Sequence, residues 1–232
     1  VSEVWINDID PAIHAFWYSV LHTTDELCER IERVNVNMTE WHRQRRVQSD
    51  GRASVLSLGF STLFLNRTNR SGILRGGVIG GKDQKGNYPL DCRFDRADLV
   101  RKIRRIALYR EQIHLSCLDA RLYIGSALKK LPSHALVNVD PPYYRAGPDL
   151  YTNSYQHKDH AALARAVRSM PHRWMLTYDD ADEIRAMYLG LRQFRKTLTY
   201  YAQVKRAAAE LMVLSDSLVA PKSLLAHVRR TA

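Results

Sequence analysis

The residues of this chain best suited to chemistry are Asp140, Pro141, Pro142 and Tyr143, which end the apolar, partly β-branched run Ala135-Leu136-Val137-Asn138-Val139. Each proline lacks an N–H and fixes its own φ, and a residue before proline is held extended. The Asp140 carboxylate and the Pro141 carbonyl thereby become rigid acceptors with no local donor to occupy them. Two such acceptors suit one exocyclic amine, such as adenine N6. That nitrogen is a poor nucleophile because its lone pair is delocalised into the ring. Hydrogen bonds from both of its N–H groups to fixed acceptors favour a pyramidal nitrogen that can attack a methyl sulfonium in line. The same acceptors stabilise the positive charge that grows as the methyl arrives, an oxyanion hole with its sign reversed. Tyr143 adds a ring for a base to stack on, and a base inside a duplex must be flipped out to reach such a pocket. An Asp-Pro-Pro-Tyr run also serves in a plain turn, so these four residues alone leave both readings open.

The elements that must position this run are legible as an alternation of strands and helices. Ala135 to Val139 reads as a buried parallel strand, which places Asp140 at the carboxyl edge where open α/β sheets bind ligands. Val4-Trp5-Ile6 reads as a strand ending at Asn7-Asp8, and Asp10-Pro11 starts a helix that runs to about Leu21. Ile113 to Ser116 is a third strand, closing at Cys117-Leu118-Asp119-Ala120. A helix over Lys158 to Ser169 precedes the strand Trp174 to Tyr178, and Asp179 or Asp180 caps a helix from about Ala181 to Leu189. Thr197 to Tyr201 and Glu210 to Leu214 supply two last strands, joined by a basic turn around Lys205-Arg206. The fold class is α/β, with a mostly parallel sheet covered on both faces.

Between Thr24 and Arg110 the pattern changes to helices and loops. Leu27, Ile31 and Val34 share one helical face, and Asp95 to Tyr109 form an amphipathic helix with Leu99, Ile103, Ile106 and, at its end, Leu108 inward. From Asn66 to Gly77 arginines alternate with small and turn-forming residues, and Gly76 to Gly86 holds five glycines with Lys82 and Lys85. A mobile, basic, glycine-rich loop suits close approach to a phosphate backbone, although each arginine taken singly reads as a solvated charge. Gly76-Gly77 and Gly80-Gly81 do not follow the strand-turn-helix order of a dinucleotide fingerprint.

The balance of 35 Lys+Arg against 24 Asp+Glu gives a net charge of +11, which suits a polyanionic partner or simply keeps a basic protein in solution. Cys28, Cys92 and Cys117 are odd in number and lack metal-ligand spacing, as expected of reduced thiols in a cytoplasmic protein. His157 and His160 have no acid or cysteine beside them to complete a ligand set, so no metal is expected and His160 reads as structural or DNA-contacting. Nothing resembles a signal peptide or a membrane span.

Asn7-Asp8-Ile9, Phe64-Leu65-Asn66-Arg67, Gly72-Ile73-Leu74-Arg75, Asp119, and Asp140 to Tyr143 followed by Gly147, Leu150-Tyr151, Tyr155 and Asp159-His160 occur in the order of a known family. From about Val4 to Pro221 the chain resembles the D12 class N6-adenine-specific DNA methyltransferases, the group of the Dam enzymes. The resemblance implies a Rossmann-like methyltransferase sheet, S-adenosylmethionine as cofactor and double-stranded DNA as partner. It implies that Asp8 bonds the cofactor ribose, Ile9 lies against its adenine, Asp119 and the backbone of Ala120 bond that adenine, and Asp140 completes the cofactor site. Catalysis falls to Asp140, Pro141, Pro142 and Tyr143, with 147–155 as a loop over the target base. The recognition hairpin would bring Arg67, Arg70, Ser71, Arg75, Lys82 and Lys85 to DNA, with Arg75 reading a guanine edge by a bidentate contact. Residues 1–23 and 111–232 would form the catalytic domain, and 24–110 the target-recognition insert.

Two departures stand out. Family members carry a first strand and a Phe-x-Gly-Gly or similar turn before the acid represented by Asp8, which this chain lacks; an N-terminal portion preceding Val1 in the native protein is the preferred expectation, with completion by another chain or loss of activity as the alternatives. Dam-like members have asparagine where Ser71 stands, so the familiar GATC target is not implied. The other classes in play are a DNA-binding fragment without catalysis and a methyltransferase acting on RNA or on protein amides.

Overall fold

The computed structural model describes residues 1–145, 147, 155–201, 205–219 and 229–230, with the backbone alone for 196–201, 205–208 and 229–230. The chain divides into two compact units, Val1–Asp119 and Ala120–Ala232. This partition follows packing, whereas the expected division into catalytic domain and insert rests on motifs.

In the first unit Val4–Asn7 (β1) pairs in parallel with Ile113–Ser116 (β2), with Asn7 opposite Ser116. The α-helices of this unit are Pro11–His22 (α1), Thr24–Arg33 (α2), Met38–Ser49 (α3), Val55–Thr68 (α4) and Arg96–Ala107 (α5). Four of them start where the sequence supplies a side-chain cap. Asp10 accepts Ala12 N ahead of Pro11, Asn37 accepts Glu40 N, Ser54 accepts Ser57 N and Asp95 accepts Asp98 N. Every residue of α4 from Gly59 to Leu65 is buried, which makes it a central helix rather than an amphipathic one. A Cβ on Gly59 would lie 2.5 Å from the Ala15 carbonyl oxygen, so α1 crosses α4 at a separation only glycine permits, and the Thr62 hydroxyl donates to Ala12 O across the same contact. Leu27 and Ile31 of α2 and Leu99 and Ile103 of α5 join Phe64 in one core. Leu108, expected to point inward, is 80% exposed because α5 ends one residue earlier.

The second unit comprises Ala120–Ser126 (α6), Leu136–Val139 (β3), His157–Arg168 (α7), Arg173–Asp179 (β4), Asp182–Met187 (α8), Arg192–Tyr201 (β5), Lys205–Leu214 (β6) and Arg229–Arg230 (β7). Its sheet has the order β3-β4-β6-β5-β7. The expected mostly parallel sheet is corrected here: among the described residues β1–β2 and β3–β4 are parallel, while β4–β6, β5–β6 and β5–β7 are antiparallel. Only residues 202–204 separate β5 from β6, and a parallel pair needs a crossover of roughly a dozen residues. Lys205 and Arg206, expected in a turn, begin β6 instead. Nor is β3 a buried strand. Among the described residues it ends its sheet, and its residues alternate between exposed and half-buried.

That alternation decides what each face carries. Trp174, Leu176 and Tyr178 of β4 share a core with Leu211 and Val213 of β6 and with Leu163 and Val167 of α7. Met175 packs on the opposite side with Phe194, Met212 and Leu214. Successive strand residues point to opposite faces, so Thr177, Asp179 and Glu210 belong to the side of Met175 and Met212. No helix among the described residues is long and apolar enough to cross a membrane.

Candidate active site and recognition loop

Asp140 follows directly on β3 and is exposed, with its Oδ1 accepting a hydrogen bond of 2.9 Å from the Thr177 hydroxyl on the neighbouring β4. Pro141 is buried, and among the described residues no backbone N–H donates to its carbonyl. Two residues beyond Thr177, Asp179 takes the Tyr144 and Arg145 N–H groups, one on each carboxylate oxygen and each at 2.7 Å. Opposite Asp179 in the β4–β6 ladder stands Glu210, whose Oε1 accepts the Tyr143 hydroxyl at 2.7 Å. One face of the sheet thus fixes the motif at three points. Thr177 sets the Asp140 carboxylate, Glu210 sets the Tyr143 ring, and Asp179 binds the N–H groups that follow.

Behind the motif lies an aromatic cluster. His160 of α7 is 1% exposed; its Nδ1 pairs with the Tyr178 hydroxyl at 2.9 Å, and its ring centroid lies 5.0 Å from that of Tyr144 and 5.4 Å from that of Tyr155. Burial pushes the His160 imidazole below its ordinary pKa, against the pull of Asp179 and Asp159. Burial likewise raises the Tyr178 hydroxyl well above its usual range. His160 is therefore a buried packing residue whose ring is held toward its neutral form. Asp159 caps α7 by accepting Gln156 N.

In the first unit, Asp8 and Asp119 follow neighbouring parallel strands at their carboxyl ends. The Asn7 side chain joins those ends: its Nδ2 donates to Leu118 O at 2.9 Å, and its Oδ1 accepts Leu118 N at 3.1 Å and Ser116 Oγ at 2.8 Å. Asp8 is half-buried, accepts Asp10 N at 2.8 Å, and has its carboxyl raised above the usual range chiefly by desolvation. Ile9 beside it is 40% exposed, and Ala120 opens α6.

The segment after α4 is tied down rather than loose. Residues 69–78 form a loop closed at its base by the Asn69–Val78 bridge, with Arg70 N donating to Gly77 O and Ile79 N to Thr68 O. Asn66 Nδ2 holds Gly72 O at 3.1 Å. Ser71 has φ 56° and Gly72 φ 74°, a left-handed pair that asparagine enters more readily than serine at the first position. Arg70, Ser71 and Arg75 are exposed around this loop, Arg67 is half-buried in the last turn of α4, and Lys82 and Lys85 are exposed in the turns that follow. The profile of the D12 class N6 adenine-specific DNA methyltransferase family matches residues 1–204.

The chain belongs to this family. It is an adenine-N6 DNA methyltransferase, an enzyme whose substrate is DNA. Comparison with individually curated proteins gives no match. The match spans Asp8, the 69–78 loop and Asp140 to Tyr143 alike, whereas Leu150-Tyr151 and most of the expected 147–155 loop lie outside the described residues.

Sequence reasoning missed three residues that hold this candidate motif. One of Asp179 and Asp180 is expected to cap a helix, but α8 begins after Ala181 without a side-chain cap, and Asp180 instead pairs with Arg185 and Arg195. Thr177 and Asp179 stand two apart at the carboxyl end of the strand beside β3, a spacing that could have marked both for the ligand edge. Glu210 gives no local signal, since its role depends on the β4–β6 register.

Proposed function

We propose that this methyltransferase moves the methyl group of S-adenosylmethionine to N6 of an adenine flipped out of a specific duplex sequence. Asp140 and the Pro141 carbonyl accept the two amine N–H groups, Pro142 keeps the turn rigid and Tyr143 stacks on the base. The observation that carries this reading is the exposed Asp140 carboxylate at the end of a parallel strand, anchored through one oxygen by Thr177. Anchoring fixes where the acceptor stands before the base arrives, so little reorganisation is left for the transition state. After transfer the nitrogen must shed one proton, and Asp140 is the acceptor already bonded to it.

S-adenosylmethionine supplies the electrophilic methyl group. The residues at the ends of β1 and β2 fit its other end by their chemistry. Asp8 offers a carboxylate for ribose hydroxyls, Ile9 an exposed apolar surface for a purine, and Asp119 with the Ala120 backbone an acceptor and a donor for the adenine edge. Within each unit taken by itself, we read a parallel strand pair with acids at its carboxyl end, β1–β2 in the first and β3–β4 in the second, as the Rossmann-like feature. Residues 24–110 act as the target-recognition insert, with Arg75 on a guanine edge and Arg67, Arg70, Ser71, Lys82 and Lys85 on the backbone or beside it; 1–23 and 111–232 carry catalysis.

Incubation with tritiated cofactor and either duplex DNA, RNA or protein tests the reading, with label expected in duplex DNA alone. Asp140→Ala should lower transfer by about 10²–10³-fold or more and leave salt-dependent DNA binding intact. Label appearing in RNA or protein instead, or DNA binding lost together with transfer, would overturn it.

A further inference from the structure

The 69–78 loop spends its carbonyl oxygens on its own support, and one side chain does most of the holding. Asn69 is fully buried at the end of α4; its Oδ1 accepts Trp41 Nε1 at 2.7 Å, while its Nδ2 donates to Ile73 O and to Leu74 O, each at 2.9 Å. Arg45 of α3 lies over the Trp41 ring, 5.5 Å from its centroid, and donates to the same Leu74 O at 3.0 Å. Two donors therefore grip the carbonyl of the peptide that leads into the exposed Arg75. An asparagine amide has two N–H donors and one carbonyl, and here both kinds of group are used.

We propose that Asn69 is a specificity-determining residue that acts through Arg75, by fixing the backbone from which that guanidinium reaches a base. The inference rests on the reading that this loop reads DNA sequence. A bidentate contact discriminates between bases only if the planar fork arrives at a set position and angle, whereas contacts to phosphate tolerate a range of approaches. Releasing the Leu74–Arg75 peptide should therefore cost selectivity and spare total binding. Asn69→Asp is nearly isosteric and keeps an acceptor for Trp41, yet it removes both N–H donors and sets a carboxylate oxygen against the two carbonyls. Arg45→Met removes one donor to Leu74 O and leaves a side chain that still covers Trp41.

Selection of bound molecules from a pool of randomised duplexes, followed by sequencing, reads the outcome directly. The unaltered protein should enrich one motif. Asn69→Asp should lower the preference at one or more of its positions by about tenfold, within what a single bidentate contact provides. Binding of an unselected duplex at low salt should stay within roughly twofold. Arg75→Ala should flatten the same position. If Asn69→Asp proves unfolded by its melting curve, Arg45→Met must show the flattening, and its failure to do so overturns the inference. An unchanged motif in folded Asn69→Asp alongside a flattened one in Arg75→Ala overturns it too, while the base-reading role of the loop stands. A motif that survives Arg75→Ala removes that role and the inference with it.

Discussion

The 69–78 loop and the turn after β3 are braced by the same device with opposite polarity. In the loop the Asn69 amide donates two N–H groups to backbone carbonyls, those of Ile73 and Leu74. In the turn the Asp179 carboxylate accepts two backbone N–H groups, those of Tyr144 and Arg145. Each brace removes one kind of group from the working surface and leaves the other. The loop, with its carbonyls turned inward, presents arginines and is rich in donors, which suits phosphates and guanine edges. The turn, with N–H groups held by Asp179 and two prolines that have none, presents the Asp140 carboxylate and the Pro141 carbonyl. It is rich in acceptors, as an amine substrate requires.

The harshest way to break this contrast is to spoil the acceptor-rich turn at its brace. Asp179→Asn leaves one amide oxygen to accept and turns an NH2 group toward a backbone N–H, so the Tyr143–Arg145 segment must shift. A displacement of about 1 Å costs on the order of 10²-fold in rate, and single-turnover methylation should fall by that much with DNA affinity unchanged. A loss under about threefold would show that the prolines hold the turn unaided. Next in size comes Thr177→Val, which removes the donor on Asp140 Oδ1. One lost hydrogen bond of about 1 kcal/mol predicts a five- to tenfold fall in kcat at constant KM for DNA, and Thr177→Ser should restore it. Equal losses in serine and valine variants would mean that packing, not the hydroxyl, is what matters.

How much of this was legible beforehand follows from how local each cause is. The end of β3 at Asp140 is written in adjacent residues, because β-branched side chains favour a strand and two prolines end it. The start of α1 is equally local, with Asp10 and Pro11 side by side. The braces are not local. Thr177 lies 37 residues from Asp140, and Glu210 lies 67 from Tyr143, so both contacts depend on strand register. The order β3-β4-β6-β5 inserts the later strand between two earlier ones, which apolar runs do not announce. Asn69 reads as one of several turn-forming residues; its burial depends on contacts such as that with Trp41, 28 residues earlier. The prominent acids and arginines of the candidate site could be read from the sequence, and the groups that orient them could not.

A finer cut within the turn concerns Tyr143. Tyr143→Phe keeps the ring that stacks and removes only the hydroxyl bonded to Glu210. The base should still enter, so methylation should drop by only about two- to fivefold, the lower range for one hydrogen bond. Tyr143→Ala, by contrast, should lose base stacking of about 1–3 kcal/mol and appear chiefly as weaker binding of flipped or mismatched target DNA. If phenylalanine and alanine behave alike, the hydroxyl anchor rather than the ring face is the contribution of this residue.

The smallest expected effect lies in the packing behind the acceptor-rich turn and is read in stability rather than rate. Burial holds the His160 imidazole below its ordinary pKa, so the unfolded chain binds this proton more readily than the folded one. Stability from the neutral, buried ring is fully present above about pH 6.5, where the unfolded histidine is also neutral. It is lost as pH falls below that value and the folded ring is driven toward protonation. His160→Asn places an amide near the position of Nδ1, where it can still meet the Tyr178 hydroxyl, but it cannot titrate. The variant should melt lower at neutral pH because a ring is missing from the cluster, yet its melting temperature should fall less steeply than that of the unaltered protein between about pH 7 and pH 5.5. Carboxylates elsewhere contribute equally to both curves, so the difference between the slopes isolates this residue. Parallel curves would mean that His160 takes up its proton as easily folded as unfolded, and the turn would then rest on a base far more open to water than its burial indicates.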